Sequence, residues 1–245
     1  MLTGICVLPV IPMRKKKSDK SEMINQILFG ETFYIIKKLS KWSYIELTHD
    51  RYQGWIDNKQ YELIQSVENN PIISNKKICQ ITLNNKKQPL ILGSLIPKNK
   101  YLTSKFKISH NLSFGQTNDF DTWFLKIAKK YLNSPYLWGG RTPLGIDCSG
   151  YTQMVYRFFK IQLPRDASEQ VNKGESILNL RNAKLGDLVF FSEKEYITHV
   201  GIYLGQNRII HSSGKVRIDT LDQKGIFNTD SKSYTHILQI IKRLI

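Results

Sequence analysis

The chain has 245 residues, of which 41% are hydrophobic and 11% aromatic, and its formal net charge is +16. This is the composition of a globular chain of two or three domains, and it argues against long disordered segments. No apolar run approaches the roughly 20 residues that a membrane span needs. The excess lysines are spread along the chain rather than clustered, so the charge does not indicate a nucleic-acid partner.

The first 66 residues combine short alternating strands with turn signals, which is typical of a small β-barrel. We expect strands at 4–11, 32–36, 42–47 and around 52–56, with the basic run 14–17 in a solvated loop. The apolar start of the chain lacks a basic region and a small-residue cleavage site, so it is interpreted as a strand rather than a signal peptide. We therefore expect a cytoplasmic protein, or an exported one whose leader has been removed.

Residues 72–116 repeat the strand pattern more faintly, at 77–83, 89–92, 93–97 and 101–103. This repetition predicts a second, divergent barrel. The turn-forming segment 69–71, Asn-Asn-Pro, is the predicted linker between the two barrels.

Residues 118–245 mix helical and strand patterns, which predicts an α+β domain. Asp121 is the predicted N-cap of an amphipathic helix over 123–131. A second helix is predicted to begin at Cys148, and strands are predicted at 198–204, 207–213, 216–221 and 237–243.

A loop rich in glycine and proline, residues 136–147, leads to Cys148 and then to the apolar run 151–159. This layout places a thiol in the first turn of a buried helix. Unpaired N–H groups and the helix dipole favour a thiolate there, so Cys148 is a candidate nucleophile. The alternative is a buried structural thiol, which is the commoner fate of a single cysteine.

Two histidines lie on a predicted hairpin downstream of this cysteine. His199 opens the strand 198–204, and His211 lies near the end of the strand 207–213, with a turn at 205–207. Such positions can be cross-strand neighbours, so one imidazole can hold the tautomer of the other. A cysteine nucleophile needs a base and a third group that orients the base, and this pair could supply both.

The three cysteines, Cys6, Cys79 and Cys148, are odd in number and scattered. They match neither a disulfide framework nor a metal site, and the sequence has no CxxC or HExxH motif. We therefore predict no metal and no other cofactor.

The segment from about Phe120 onward resembles the NlpC/P60 family of cysteine peptidases. The matching motifs occur in the family's order: Tyr136-Leu-Trp138-Gly-Gly, Asp147-Cys148-Ser149-Gly150, Leu163-Pro-Arg165-Asp166, Gly186-Asp187-Leu-Val-Phe-Phe, His199-Val-Gly-Ile-Tyr and His211-Ser-Ser. The resemblance implies a papain-like α+β fold that hydrolyses γ-D-glutamyl bonds of bacterial cell-wall peptides. It also implies roles for four residues: Cys148 as nucleophile, His199 as base, His211 as the third polar residue and Tyr136 near the oxyanion site.

The segment Tyr52-Gln-Gly-Trp-Ile56 resembles the end of bacterial SH3 modules, so both barrels are expected to be SH3-like. We divide the chain into SH3-like barrels at 1–66 and 72–116 and a peptidase domain at 118–245. Paired SH3-like domains ahead of this catalytic domain resemble the γ-D-glutamyl-L-diamino acid endopeptidases of muropeptide recycling. That subgroup demands a free N-terminal L-Ala in its substrate.

A buried substrate ammonium needs compensating carboxylates. The resemblance implies Asp147 as one and Glu22 as the second, with Glu31 as a rival, and Tyr52 as the aromatic neighbour. The alternatives are purely structural roles, a helix cap for Asp147 and a surface charge for Glu22.

Further substrate contacts are implied at Trp138, Ser149, Arg165 and Asp166, although Asp166 could simply cap a helix. Ala167 departs from relatives that carry a serine there, which puts one substrate hydrogen bond in doubt.

The favoured hypothesis is a monomeric recycling enzyme whose partner is a murein peptide. A second hypothesis is a secreted hydrolase that cuts stem peptides of intact wall and uses its SH3 modules as anchors. A third is a non-catalytic protein that binds wall or polyanions. The complete set of Cys148, His199 and His211 argues against the third hypothesis.

Overall fold

The computed structural model describes residues 2–110, 119–193 and 196–244. These residues fall into two units, divided between residues 116 and 117. Each unit has its own sheets and its own buried apolar clusters.

The first unit is built on a seven-stranded antiparallel sheet with the order β3-β2-β6-β5-β4-β1-β7. Its apolar core includes Met13, Phe33 and Ile45, which are fully buried. Alternation of buried and exposed residues along the short strands places one face of each strand on this core. The strands are β1 (Leu2–Ile5), β2 (Val10–Arg14), β3 (Met23–Leu28), β4 (Thr32–Lys38), β5 (Trp42–Leu47), β6 (Gln53–Asp57) and β7 (Glu62–Ile64).

One predicted strand of this unit is wrong. Residues 4–11 form parts of β1 and β2 with a turn between them, rather than a single strand. Pro9 lies in that turn and has no N–H to donate to a ladder. The backbone of Cys6 instead accepts from Gly30 N at 2.8 Å and donates to Glu31 O at 3.0 Å, so the chain turns there.

The segment after this sheet contains β8 (Ile72–Ile73), β9 (Ile78–Leu83), β10 (Lys86–Ile91), β11 (Leu95–Ile96) and the helix α1 (Lys100–Lys105). The faint strand predicted at 101–103 is therefore helical. Asn99 caps this helix by accepting from Leu102 N at 2.8 Å. The segment also packs on the first sheet, since Leu102 and Phe106 lie against Ile5 and Ile64.

The division of the first unit into barrels at 1–66 and 72–116 stays a prediction, and residues 111–116 lie outside the described residues.

The second unit is α+β, as the sequence predicts. It contains α2 (Phe120–Lys129), β12 (Arg141–Thr142), β13 (Gly145–Ile146), α3 (Cys148–Arg157), α4 (Ala167–Gln170), β14 (Glu175–Ile177), β15 (Leu188–Glu193), β16 (Tyr196–Gly205), β17 (Arg208–Ser213), β18 (Lys215–Leu221), β19 (Gly225–Asn228) and β20 (Ser233–Arg243). The N-cap of α2 is Asp119, whose side chain accepts from Thr122 N at 2.9 Å, and not Asp121, which lies in the first turn.

The large sheet of this unit has the order β14-β20-β15-β16-β17-β18-β19, and β19 also pairs with β20. The last six strands of this order therefore close into a barrel. Its apolar core includes Val189, Phe191 and Ile241. Helix α3 packs against β16 and β17, so the start of α3 is positioned by the strands of the histidine hairpin.

Candidate active site

Cys148 is the first residue of α3, and its side chain is almost completely buried. The preceding residue, Asp147, caps the helix by accepting from Gly150 N at 2.7 Å. The thiol accepts a hydrogen bond from the backbone N–H of Val200, which directly follows His199 on β16. The structure thus brings the candidate nucleophile to the strand of the candidate base.

His199 and His211 meet across the hairpin, with Nε2 of His199 2.9 Å from Nδ1 of His211. They are diagonal rather than directly opposed, because His211 pairs with Gly201 in the strand register. A Cβ on Gly201 would lie 2.9 Å from Cβ of His211, so the absence of a side chain there leaves room for the contact. The contact with His211 uses Nε2 of His199 and not Nδ1.

Sequence reasoning missed two residues of this cluster. Asp219 on β18 lies 3.0 Å from Nε2 of His211 through its Oδ2. His236 on β20 stacks on His199 with ring centroids 4.1 Å apart. The sequence contained some indication of Asp219, since it is the only acidic residue of the strand that follows the hairpin. The sequence contained no indication of His236, because its contact with His199 depends on closure of the barrel.

Protonation at this site follows from burial. Burial raises the pKa of the Cys148 thiol to about 11, and the Asp147 carboxylate raises it further, while the Val200 N–H opposes them. Burial, with His211 and His236 as neighbours, holds the pKa of His199 well below its usual range. The resting state is therefore a neutral thiol and a neutral imidazole. The expectation of a thiolate favoured by the helix start is wrong for the resting enzyme, because desolvation outweighs the helix dipole.

Tyr136 lies beside the cysteine on the loop before α3. Its backbone N donates to Gly214 O at 2.9 Å, which ties the loop to the end of the hairpin. Burial raises the pKa of its hydroxyl to about 12, with further contributions from Cys148 and Asp147. The phenol therefore stays protonated at neutral pH and can donate a hydrogen bond to a developing oxyanion.

A cleft of about 620 Å³ opens beside Tyr136 and His199. Its walls are formed by the ends of β15, β16 and β17 and by the first part of β20. The other lining residues are Phe191, Ser192, Thr198, Ser212, Ser213, Gly214, Tyr234, Thr235, His236 and Ile237. This volume is in the range of ligand-binding clefts.

Asp147, Ser149 and Arg165 form a buried cluster behind the cysteine. Arg165 donates from Nη1 to Asp147 Oδ1 at 3.1 Å and to Ser149 Oγ at 2.9 Å, and from Nη2 to Asp147 Oδ2. Asp147 also accepts from Gly139 N at 2.8 Å. The carboxylate therefore caps the helix, as the alternative interpretation predicts. Both of its oxygens already accept strong hydrogen bonds. Its role as a counter-charge for a substrate amine stays a prediction.

The remaining predicted contacts lie as follows. Trp138 is 60% exposed on the Tyr136 loop. Asp166 occupies the N-cap position of α4, but its side chain makes no capping hydrogen bond. The residue after it, Ala167, begins α4 and is buried. The substrate-binding roles of Trp138 and Asp166 stay predictions.

Three predicted binding residues belong to the first unit. Glu22 forms a salt bridge with Lys15 at 3.1 Å, and its side chain is 40% exposed. Glu31 is fully buried and accepts from Leu28 N at 2.8 Å. Tyr52 packs against the barrel core. Their roles toward a substrate amine stay predictions.

Within residues 2–110, 119–193 and 196–244, no group of three or more His, Cys, Asp or Glu side chains is placed to hold a metal ion. In the same part of the chain, no helix combines the length and the apolar character needed to cross a membrane.

The geometry defines a class of protein. A cysteine at a helix start, held against a strand that carries a paired histidine beside a cleft, is the arrangement of papain-like cysteine hydrolases. Comparison with known families makes the assignment specific. Residues 133–234 match the NlpC/P60 family, and residues 13–60 match the bacterial dipeptidyl-peptidase SH3 domain. The chain carries an NlpC/P60 domain behind a bacterial SH3 domain, which confirms the resemblance identified in its sequence.

Two relatives align with most of the chain. The γ-D-glutamyl-L-lysine dipeptidyl-peptidase of Bacillus subtilis is 26% identical over 211 residues, covering 76% of this chain and 71% of the relative. The dipeptidyl-peptidase 6 of Lysinibacillus sphaericus is 29% identical over 245 residues, covering 83% of this chain and 86% of the relative.

Solved structures support the fold. An NlpC/P60 family protein from Bacillus cereus superposes with a TM-score of 0.77 at 17% identity, covering 99% of both chains. An NlpC/P60 endopeptidase from Photobacterium damselae gives a TM-score of 0.71 at 16% identity, covering 97% of this chain and 70% of that one. At these identities the likeness concerns the fold alone.

The first prediction concerns stability against pH. Burial lowers the pKa of His199 and His211, and it lowers that of His236 to about 4. Below about pH 6.5 these histidines are protonated in the unfolded chain but stay neutral in the folded one. The free energy of unfolding should therefore fall as pH drops from 7 to 5 and level off above about pH 7. Each histidine can contribute up to about 1.4 kcal/mol per pH unit. Melting temperatures measured across pH 5–8 test this pH dependence. If His199→Gln showed the same slope of melting temperature against pH as the wild type, the prediction would be contradicted.

The second prediction concerns Gly201. In Gly201→Ala, the new Cβ would lie 2.7 Å from Cδ1 of Ile209 and 2.9 Å from Cβ of His211. The side chain of Ile209 can move aside, but the His211 ring must shift away from His199. We expect a loss of about 1–3 kcal/mol in stability and a clear loss of activity.

Gly205→Ala is the matched control. Gly205 has a φ of +84°, and an added Cβ would meet no atom within 4 Å, so this variant costs backbone strain of about 1–2 kcal/mol without moving a histidine. Equal losses of kcat in the two variants would show that Gly201 acts through stability only.

Proposed function

We propose that this protein is a cysteine peptidase that hydrolyses the bond between γ-D-glutamate and an L-diamino acid in murein peptides bearing a free N-terminal L-Ala. The observation that carries the proposal is the position of the Cys148 thiol. It is held at the N–H of Val200, next to the residue whose imidazole is bonded to His211. Catalysis by Cys148, His199, His211 and Tyr136 is part of this proposal.

The reaction begins with a proton transfer. Nδ1 of His199 takes the thiol proton as the sulfur attacks the γ-glutamyl carbonyl carbon, because the resting thiol is neutral. A new C–S bond forms, and the carbonyl oxygen becomes an oxyanion. In the proposal, the backbone N–H of Cys148 and the Tyr136 hydroxyl stabilise this oxyanion. Losing one such donor typically costs about 10²–10³ in rate.

The intermediate then collapses. The C–N bond breaks, His199 gives its proton to the leaving amine of the diamino acid, and a thioester remains on Cys148. Water next attacks the thioester carbonyl while His199 accepts a proton from that water. The C–S bond breaks, and the sulfur recovers its proton from His199. His211 orients His199 throughout through the 2.9 Å hydrogen bond.

The choice of substrate rests on the relatives. The name of the Bacillus subtilis relative specifies γ-D-glutamyl-L-lysine bonds, and the matched SH3 domain is described as that of bacterial dipeptidyl-peptidases. In the proposal, Asp147 with Glu22 or Glu31 compensates the free amine, and Tyr52 lies beside it. Turnover of freed peptides is compatible with a cytoplasmic enzyme, and the proposal takes the enzyme to be a cytoplasmic monomer.

A second candidate is hydrolysis of stem peptides in intact wall. It is favoured by a higher identity, 44% over 99 residues, to the bifunctional muramidase/DL-endopeptidase CwlT of Bacillus subtilis. That alignment covers only 39% of this chain and 30% of the relative, so it concerns the catalytic domain alone.

The third prediction tests the nucleophile. Cys148→Ala should lower kcat by about 10⁴-fold or more and leave the fold intact, since only a small, almost buried thiol is removed. His211→Ala should cost less than His199→Ala, because His211 orients the base and transfers no proton. The measurement is release of the diamino acid by mass spectrometry. Cys79→Ala is the matched control, a thiol of the first unit that should be dispensable. Turnover by Cys148→Ala close to wild type would reject the assignment.

The fourth prediction tests the substrate amine. The tripeptide L-Ala-γ-D-Glu-L-Lys should be cleaved, and its N-acetylated form should not, because an uncharged amide cannot pair with the proposed carboxylates. Purified intact wall serves as the comparison substrate. Cleavage of the acetylated peptide and of wall at similar rates would favour the second candidate instead.

A further inference from the structure

We propose that Asp219 is a positioning residue of this reaction: it fixes the tautomers of His211 and His199 in series, so that Nδ1 of His199 carries no hydrogen and can accept a proton. The inference rests on the proposed function and deepens it. Neither the sequence motifs nor the family resemblance pointed to this residue.

Asp219 is held by several donors in a buried position. Its side chain is fully buried, and Oδ2 accepts from Nε2 of His211 at 3.0 Å and from Nε of Arg217 at 2.6 Å. Oδ1 accepts from Nη2 of Arg217 at 2.9 Å and from the backbone N of Thr229 at 3.3 Å. The carboxylate is therefore fixed in orientation from both sides.

These contacts also fix its charge. Burial alone would raise the pKa of Asp219, but the hydrogen bonds from His211, Arg217 and Thr229 outweigh burial and hold the pKa far below its usual range. An ionised carboxylate can only accept hydrogen bonds. The hydrogen on the Asp219–His211 contact must therefore belong to Nε2 of His211.

The tautomer of His211 then decides that of His199. A neutral imidazole with its proton on Nε2 has a bare Nδ1, which can only accept. Nε2 of His199, 2.9 Å away, must supply the hydrogen of that contact. The second nitrogen of a neutral His199 is then bare, and this is the nitrogen that a general base requires. The Asp219 carboxylate thus fixes the tautomer of His211, and through it the tautomer of His199.

The scheme requires His211 to be neutral, and the surroundings provide for this. Burial lowers the pKa of His211, and the Arg217 charge lowers it further, although Asp219 opposes both. Arg217 itself contacts Asp230 at 2.9 Å and Asn228 at 3.0 Å, which anchors it. His236 also lies close to both rings, with its centroid 4.1 Å from that of His199 and 5.8 Å from that of His211. A protonated His211 would donate from both nitrogens and force His199 into the inactive tautomer.

The fifth prediction is made for Asp219→Asn. An asparagine side chain can donate to Nε2 of His211, which would move the His211 proton to Nδ1 and the His199 proton from Nε2 to Nδ1. We expect kcat to fall by about 10²-fold or more with little change in KM; replacing a carboxylate that orients the base directly costs about 10⁴. Asp219→Glu, which keeps the acceptor, should recover part of this loss.

Asp187→Asn is the matched control. Asp187 is also buried and is paired with an arginine, Arg243, at 2.7 and 2.9 Å, but none of its hydrogen bonds reaches a histidine. The two variants should lose similar stability, and only Asp219→Asn should lose kcat. Equal losses of kcat would reduce Asp219 to a structural role and overturn the proposal.

Two readouts do not depend on the substrate. Nitrogen-15 NMR of the imidazoles should place the proton on Nε2 of both His199 and His211 in the wild type, and move it in Asp219→Asn. Alkylation of Cys148 by iodoacetamide should slow in the same variant. If wild type shows these signals but cleaves no murein peptide, the proposed substrate fails and the tautomer proposal stands. If Asp219→Asn does not fold, a wild-type spectrum with the His211 proton on Nδ1 still overturns it.

Discussion

The site depends on one contact, the hydrogen bond between two uncharged imidazoles on neighbouring strands. Nε2 of His199 and Nδ1 of His211 are 2.9 Å apart, and both rings are almost completely buried. Two protonated rings at this distance would repel each other in surroundings that screen charge poorly. Burial therefore enforces the neutral state on which the contact depends. The same burial raises the pKa of the Cys148 thiol, which favours its protonated form.

The nucleophile is fixed by a second buried arrangement. The Asp147 carboxylate receives hydrogen bonds from the start of α3, from Gly139 on the preceding loop and from Arg165. Breaking a buried ion pair on one side is costly, typically about 3–5 kcal/mol. The loop, the helix start and the Arg165 segment are thus held together close to the thiol. Gly150 allows the helix start to approach the preceding loop, because a Cβ there would lie 2.4 Å from the carbonyl oxygen of Gly140.

Local pattern predicted the strands well where alternation was regular. The strand expected at 42–47 has the same bounds as β5, and the hairpin expected over 198–213 is formed by β16 and β17. Prediction failed where a contact distant in sequence decided the outcome. Residues 101–103 are helical because Leu102 packs on Ile5 and Ile64 of the first sheet. The strand β19 was not predicted, and it exists through pairing with β18 and β20.

By itself the sequence determined the family resemblance and the candidate residues, because a cysteine at a helix start and two histidines on a hairpin are local features with recognisable motifs. It also determined the α+β class of the second unit and the small strands of the first. Only the tertiary structure decided the protonation states, since a pKa depends on burial and on neighbours from other strands. It alone brought Asp219 to His211 and His236 to His199, because closure of the barrel, and no property of either residue, sets which strands meet there.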